Sequence, residues 1–154
     1  MPALLATLLL LLPLLAMLLR APWTDLPRLL AQPEVRTALR LSLLCATAAT
    51  AISLVLGVPL AWVLARSQAR GIPLLRALVT VPLVLPPVVG GIALLLAFGR
   101  EGVVGRWLDQ WFGVSLPFTT TGVIVAETFV AMPFLVVSVE GALRAAGEDL
   151  EEAA

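Results

Sequence analysis

The sequence predicts an all-α, polytopic transmembrane helical bundle with four spans. Of its 154 residues, 60% are hydrophobic and 13% are charged, whereas about 25% of the residues in a soluble domain are charged. A domain of about 150 residues buries only ~70% of the surface that its unfolded chain exposes, so folding in water could not hide this much apolar surface. The apolar residues also form four runs, each near the ~20 residues that cross a bilayer. These runs cover residues 3–19, 41–65, 77–99 and 118–139.

The residue types that are missing exclude several kinds of chemistry. The sequence contains no histidine and no lysine, which excludes an imidazole base, histidine-containing metal sites and an ATP-binding loop of the GxxxxGK type. Its one cysteine, Cys45, lies inside an apolar run and is predicted to be a small core residue. Ten basic and ten acidic residues balance, which argues against a nucleic-acid partner. We therefore predict no catalytic residue, no metal and no cofactor.

The first run, residues 3–19, is just long enough to span a membrane. A cleaved signal peptide is the alternative, but such a signal has a basic segment before its apolar part. Here only the terminal amine precedes the run, so a retained span is preferred. Residues 20–40 contain six charges and three prolines, which indicates an aqueous connection with one short interfacial helix. Trp23 within it fits a membrane-interface anchor.

The second run, residues 41–65, has 25 uncharged residues and is rich in alanine, serine and threonine. Small residues at this density suit close packing against other helices. The connection that follows, residues 66–76, has three arginines and no acid, as is typical of a cytoplasmic loop. Counting all arginines gives four inside and six outside for a cytoplasmic amino terminus, so the counts alone leave the orientation open.

The third run, residues 77–99, is too broken for an ordinary lipid-facing helix. A proline has no N–H and clashes one turn back, which leaves carbonyls unpaired, and hydrocarbon tolerates these only inside protein or beside a water-filled cavity. A helix that restarts at Pro86 would leave amides free to meet an anion, although a kink with closely packed glycines is the preferred alternative. The candidates for the translocation pathway, or for packing beside it, are Pro82, Pro86, Pro87, Gly90 and Gly91.

Glu127 is the one charge inside a predicted span, and it joins the pathway candidates because intramembrane ionisable residues normally face a bundle interior or a cavity. A fixed negative charge would repel an anionic substrate. We therefore expect Glu127 to be protonated, or hydrogen-bonded near the outer mouth, rather than to bind substrate. The threonines at 119–121 are expected to cap the helix start, with an entrance lining as the alternative. In the connection before them, the apolar members of residues 100–117 fit a short amphipathic helix in the interface.

Several of these segments together resemble one family. Residues 83–100, LVLPPVVGGIALLLAFGR, resemble the third span of ABC-transporter permeases for molybdate and related oxyanions, and residues 56–66 and 128–134 agree with the same family. After an acidic lead-in, Glu152, Ala153 and Ala154 match the first three positions of its cytoplasmic signature. That signature continues with three residues, glycine, nine residues and Ile-x-Leu-Pro. The resemblance implies an amino-terminal fragment of a type I importer permease of about six spans.

The resemblance also implies partners and a location. Glu152, Ala153 and Ala154, within a coupling segment at residues 147–154, would begin the helix that docks on a cytoplasmic ATP-hydrolysing subunit. A second permease copy and an extracytoplasmic substrate-binding protein would complete the importer in a bacterial inner membrane. Because the signature must be inside, the amino terminus would be cytoplasmic too. Molybdate is the expected substrate, with tungstate or sulfate as alternatives; a four-span scaffold, or an intramembrane enzyme using Glu127, is the alternative of another class.

Overall fold

The computed structural model describes residues 2–152, with the side chains of residues 3 and 147–152 left out. Every regular element in this part of the chain is an α-helix, which confirms the all-α prediction. The helices are α1 (Pro2–Arg20), α2 (Leu26–Ala31), α3 (Pro33–Arg66), α4 (Ile72–Val84), α5 (Pro87–Phe98), α6 (Gly105–Phe112) and α7 (Thr120–Glu152). The chain separates into two compact units, one up to Arg40 and one from Leu41 onward.

The first unit contains α1, α2 and the first turns of α3. Between α1 and α2 the indole Nε1 of Trp23 donates a hydrogen bond to the carbonyl of Leu18 at 2.8 Å, which ties the connection to the end of α1. The short helix predicted within residues 20–40 is present as α2. The helix that contains the span predicted at 41–65 is longer than that span, because α3 already begins at Pro33. A proline at the first helical position and Glu34 in the first turn both favour a helix start there.

Two helices are long and apolar enough to cross a membrane, α3 and the Thr120–Ala146 part of α7. The third run, predicted as one broken span at 77–99, consists of two helices, α4 and α5, that are bent by 117° relative to each other. Counted as one span, this pair gives three, and the apolar helix Leu4–Arg20 is shorter than the other two. The described residues therefore contain up to three spans by length and composition, where four were predicted.

The bend between α4 and α5 follows from consecutive prolines. Leu85 and Pro86 are both extended, with ψ angles of 131° and 140°, because a residue before a proline is pushed out of the helical region. Helix α5 then begins at Pro87, one residue after the predicted restart, and the Gly90 amide donates to the Pro86 carbonyl at 3.0 Å. The break was predicted correctly, but the sharp change of direction was not.

The second unit is organised by a row of small residues on α3. Its buried residues recur every four positions from Cys45 to Ala61, so they lie on one face; they are Cys45, Ala49, Ser53, Gly57 and Ala61, followed by Leu64. The predicted core position of Cys45 is thus confirmed. Helix α7 covers this face: a Cβ built on Gly57 would lie 2.9 Å from Leu135 Cδ2 and 3.3 Å from Val136 Cγ2.

Three contacts show that α3 and α7 run parallel. Residues 46–50 share a groove with residues 126–131, Gly57 lies against residues 132–136, and the Leu64 carbonyl accepts a hydrogen bond from Arg144. The residue numbers rise together along both helices. A core of Ala61, Leu64, Ile72 and Val136 then joins α3, α4 and α7 near one end.

Helix α7 is longer than the span predicted at 118–139. It begins at Thr120 and continues through Glu140 into the acidic tail as far as Glu152. Thr119 caps its start: the Thr119 hydroxyl accepts a hydrogen bond from the Gly122 amide at 3.1 Å, which confirms the predicted capping role. Of the coupling signature, the backbone of Glu152 ends the helix, whereas the side chain of Glu152 and all of Ala153 and Ala154 lie outside the described residues.

Candidate functional site

The proline and glycine candidates lie on both sides of the α4–α5 bend. Pro82 is inside α4, Pro86 is at the break, and Pro87 opens α5. Gly90 is buried, and a Cβ built on it would lie 3.8 Å from Cε1 of Phe129 on α7, which is ordinary contact. A Cβ on Gly91 would meet nothing within 4 Å. Within the described residues, close packing therefore does not explain both glycines.

Gly91 faces an apolar groove of about 520 Å³ between α5 and the start of α7. Ile92, Leu95 and Phe98 form the α5 side, and Leu116, Val123 and Ala126 form part of the other side. Phe118 stands at this groove with a fully exposed ring and a backbone φ of 61°, a left-handed conformation that is uncommon for residues other than glycine. Apart from the Thr119 hydroxyl, the groove offers a ligand almost entirely hydrocarbon.

Glu127 lies on a different face of α7. It lines a second groove of about 510 Å³ with Ala49 and Thr50 of α3, and Ala126 is the residue that both grooves share. Oε2 of Glu127 and Oγ of Ser53 are buried and have no hydrogen-bond partner among the described residues. The structure thus does not bring Glu127 together with Gly91, and no described group forms the expected hydrogen bond to that Oε2 atom.

A charged cluster that we did not predict lies at the end of the second unit where α3 ends. Oε1 of Glu140 accepts hydrogen bonds from Nε of Arg76 at 3.0 Å and from Nε of Arg144 at 3.1 Å. The terminal nitrogens of the same two guanidiniums lie 2.7 and 3.1 Å from this oxygen. Both terminal nitrogens also donate to the Leu64 carbonyl at 3.2 Å. The side chain of Glu140 is only 9% exposed.

The cluster was missed because Glu140 lies directly after the span predicted at 118–139, where a charge is expected to face water. One local pattern could have identified half of it, since Glu140 and Arg144 are four residues apart on a helix and such pairs attract. Arg76 comes 64 residues earlier in the chain, so its pairing depends on how α4 packs on α7. No spacing in the sequence reveals that contact.

Comparison with known proteins identifies what these helices resemble. No family model matches the chain. It is 49% identical over 151 residues to the "Molybdenum transport system permease protein ModB" of Mycobacterium tuberculosis. These aligned residues are 98% of this chain and 57% of that protein. The chain is therefore a homologue of the ModB permeases. The ModB of Haemophilus influenzae is 41% identical over 118 residues, which are 77% of this chain and 52% of that protein.

Sulfate permeases are related as well. The "Probable sulfate transport system permease protein cysT" of Zygnema circumcarinatum is 35% identical over 150 residues, or 96% of this chain and 52% of that protein. The chain thus spans about half the length of these curated relatives. The region aligned with ModB includes nearly every residue of this chain, and so the segments that form the α4–α5 bend, the two grooves and the Glu140 cluster.

Proposed function

We propose that this chain forms part of the membrane-spanning permease of an ATP-driven importer, with molybdate as its substrate. The identity to ModB permeases over 98% of the chain is the observation that carries the proposal. The helical architecture supports it, since a span broken at prolines belongs inside a bundle or beside a cavity. The permeases among its relatives are transport proteins by name, so neither a scaffold nor an intramembrane enzyme is favoured.

The proposed mechanism is alternating access in a dimer of permeases. An extracytoplasmic binding protein delivers the oxyanion, ATP binding closes two cytoplasmic ATPase subunits, and the coupling segment at 147–154 transmits that closure to the helices. The permease hydrolyses nothing itself. This arrangement requires the end of α7 at Glu152 to be cytoplasmic. With α1 crossing the membrane as a fourth span beside the three that the other helices provide, the amino terminus is cytoplasmic too.

Uptake of radiolabelled molybdate tests the substrate. The gene, expressed from its complete genomic reading frame with its ATPase and binding protein, should restore uptake to cells that lack their own molybdate importer. Unlabelled tungstate or sulfate is added in excess, and the loss of molybdate uptake shows how well each oxyanion competes. Uptake of sulfate without uptake of molybdate would instead favour the second candidate, which the 35% identity to the CysT protein supports. A frame that continues into glycine and Ile-x-Leu-Pro at the signature spacing would support coupling, whereas a stop codon after Ala154 would favour a scaffold.

We further propose that the α4–α5 bend lies on or beside the oxyanion pathway. Leucine at Gly91 would project into the 520 Å³ groove, where a Cβ meets no described atom, so the helices should still assemble while uptake is abolished. Leucine at Gly90 should abolish uptake as well, because its side chain would press on the ring of Phe129. Gly71→Leu is the matched control, because it adds the same bulk in open space before α4. Normal uptake by both the Gly90 and Gly91 variants would remove this segment from the pathway.

A further inference from the structure

We propose that Glu140, Arg76 and Arg144 form a joint that makes α3, α4 and α7 move as one body when α7 is displaced at its carboxyl end. The inference rests on the proposed function, because the displacement would come from an ATPase partner. The joint is defined by these three side chains and the Leu64 carbonyl. It gives Arg76 and Arg144 a positioning role, since neither lines either of the two grooves.

The contacts of the joint converge on two oxygen atoms. One carboxylate oxygen of Glu140 receives both guanidiniums, and one carbonyl oxygen of Leu64 receives both of their terminal nitrogens. Hydrogen bonds between ionised groups are shorter and about twice as strong as neutral ones. Since Glu140 is nearly buried, loss of either arginine would leave a charge with reduced compensation, which makes separation of the helices costly.

Helix α3 is attached to the joint through a backbone carbonyl near its end. The Leu64 carbonyl belongs to the last turn of α3, where carbonyls have no partner within the helix. Arginine side chains satisfy such carbonyls and complement the negative end of a helix. Here the two arginines come from other helices, Arg76 from α4 and Arg144 from α7. Helix α3 is therefore held through its backbone, by donors that Glu140 keeps in place.

On α7 the joint lies between the carboxyl end of the helix and the packed core. From Glu140 the same helix continues without a break to Glu152, a distance of about 18 Å at 1.5 Å per residue. On the other side of Glu140, the apolar core of Ala61, Leu64, Ile72 and Val136 begins within one turn. A force on the coupling segment would thus reach the charged joint before it reaches the packed core.

Removal of the negative charge of Glu140 tests the joint in a reconstituted complex of permease, ATPase subunits and binding protein. For Glu140→Gln we expect the amount of molybdate transported per ATP hydrolysed to fall by about five- to fiftyfold, within the usual range of coupling between sites, while the assembled complex is still recovered. Arg70→Gln is the matched control, because Arg70 is an exposed arginine of the same connection outside the joint. The exchange Arg76→Glu with Glu140→Arg keeps the charges and should restore much of the ratio.

A purely stabilising ion pair gives a different result. It would lower the yield of complex in Glu140→Gln but leave transport per ATP unchanged in what remains, and that outcome would overturn the proposal. So would a charge exchange that restores nothing although the complex assembles. A wild-type complex that takes up no molybdate would contradict the proposed substrate, and it would leave the joint to be judged by a distance measurement.

That measurement needs no substrate. Spin labels on cysteines at Arg66 and Ala145, in a Cys45→Ala background, report the separation between the end of α3 and α7 in the full complex. Both positions are exposed, and Cys45 is the only cysteine among residues 1–154; any cysteine elsewhere in the complex is replaced by alanine as well. The joint predicts one narrow distance with and without ATP, which broadens in Glu140→Gln. A wild-type distance that changes on ATP binding would refute the joint whatever the substrate.

Discussion

Gly57 shows how one residue sets the spacing of two helices. The atoms of Leu135, Met132 and Val136 already lie where its side chain would be. Replacement by leucine should force α3 away from α7 and lower the free energy of unfolding by about 1–3 kcal/mol, the usual cost of overpacking. Thermal unfolding in detergent measures this. Gly141→Leu is the control, because it makes the same change inside α7 with no atom within 4 Å, and an equal loss in both variants would contradict the packing argument.

Glu127 and Glu140 show the limit of reading single residues. Glu127 attracted a functional hypothesis because it is alone among apolar residues, and the structure leaves its Oε2 atom without a partner among the described residues. Glu140 drew no such attention because it lies just after the predicted span, yet it is the carboxylate that two arginines bind. Hydropathy detects a charge in an apolar run, but the burial of Glu140 comes from the packing of α4 and α7 around it, which no local pattern encodes.

Among the elements, helix ends were predicted least well. Charges at Glu34, Arg36 and Arg40 were interpreted as the end of a connection, but these residues are helical in α3. Charges mark where a helix leaves an apolar layer, whereas its ends depend on prolines and on caps such as Thr119. The prolines accordingly located the α4–α5 break to within one residue, because the lost N–H and the steric clash act locally. The 117° angle at the break depends on what the two helices pack against.

Helix α6 carries an aromatic edge that we predict to lie in the membrane interface. Trp107 and Trp111 are exposed neighbours with ring centroids 6.2 Å apart, while Gly105 is buried against the end of α5. Tryptophan rings favour the level of the lipid headgroups. With Trp23 and Trp62 replaced by phenylalanine, the remaining fluorescence should be quenched strongly by lipids brominated near the headgroup and weakly by aqueous iodide.

The polar edge of α6 provides the control for this experiment. In the background that already carries phenylalanine at Trp23 and Trp62, Trp107 and Trp111 are also replaced by phenylalanine. Asp109→Trp then places the only indole among these 154 residues on the opposite edge of the helix. It should show the reverse preference, with quenching by iodide several times stronger than by the brominated lipid. If both variants prefer iodide, α6 does not lie in the interface.

Across the whole molecule, the parallel course of α3 and α7 places the arginine-rich connection 66–76 and the Glu140 joint at one end of the second unit. Thr120 lies twenty residues before Glu140 on the same helix, which is about 30 Å and close to the thickness of a hydrocarbon core. The connection that contains α6 joins the start of α7. Within this connection, Nε of Arg100 donates a hydrogen bond to the Ser115 hydroxyl at 3.1 Å. The two connections therefore lie at opposite ends of α7 and should face opposite sides of the membrane.

Cysteine labelling tests which side each connection faces. In a Cys45→Ala background, single cysteines at Arg70 and Asp109 both replace exposed charged residues, and the two variants act as controls for each other. With the amino terminus and the α7 end cytoplasmic, a membrane-impermeant maleimide should label the cysteine at 109 in intact cells several times more than the one at 70. Inverted vesicles should show the opposite order, because the arginine-bearing connection would then be outside. Stronger labelling at 70 in intact cells would place the coupling end outside the cytoplasm, where no ATP-hydrolysing subunit could reach it, and would contradict both the orientation and the proposed importer.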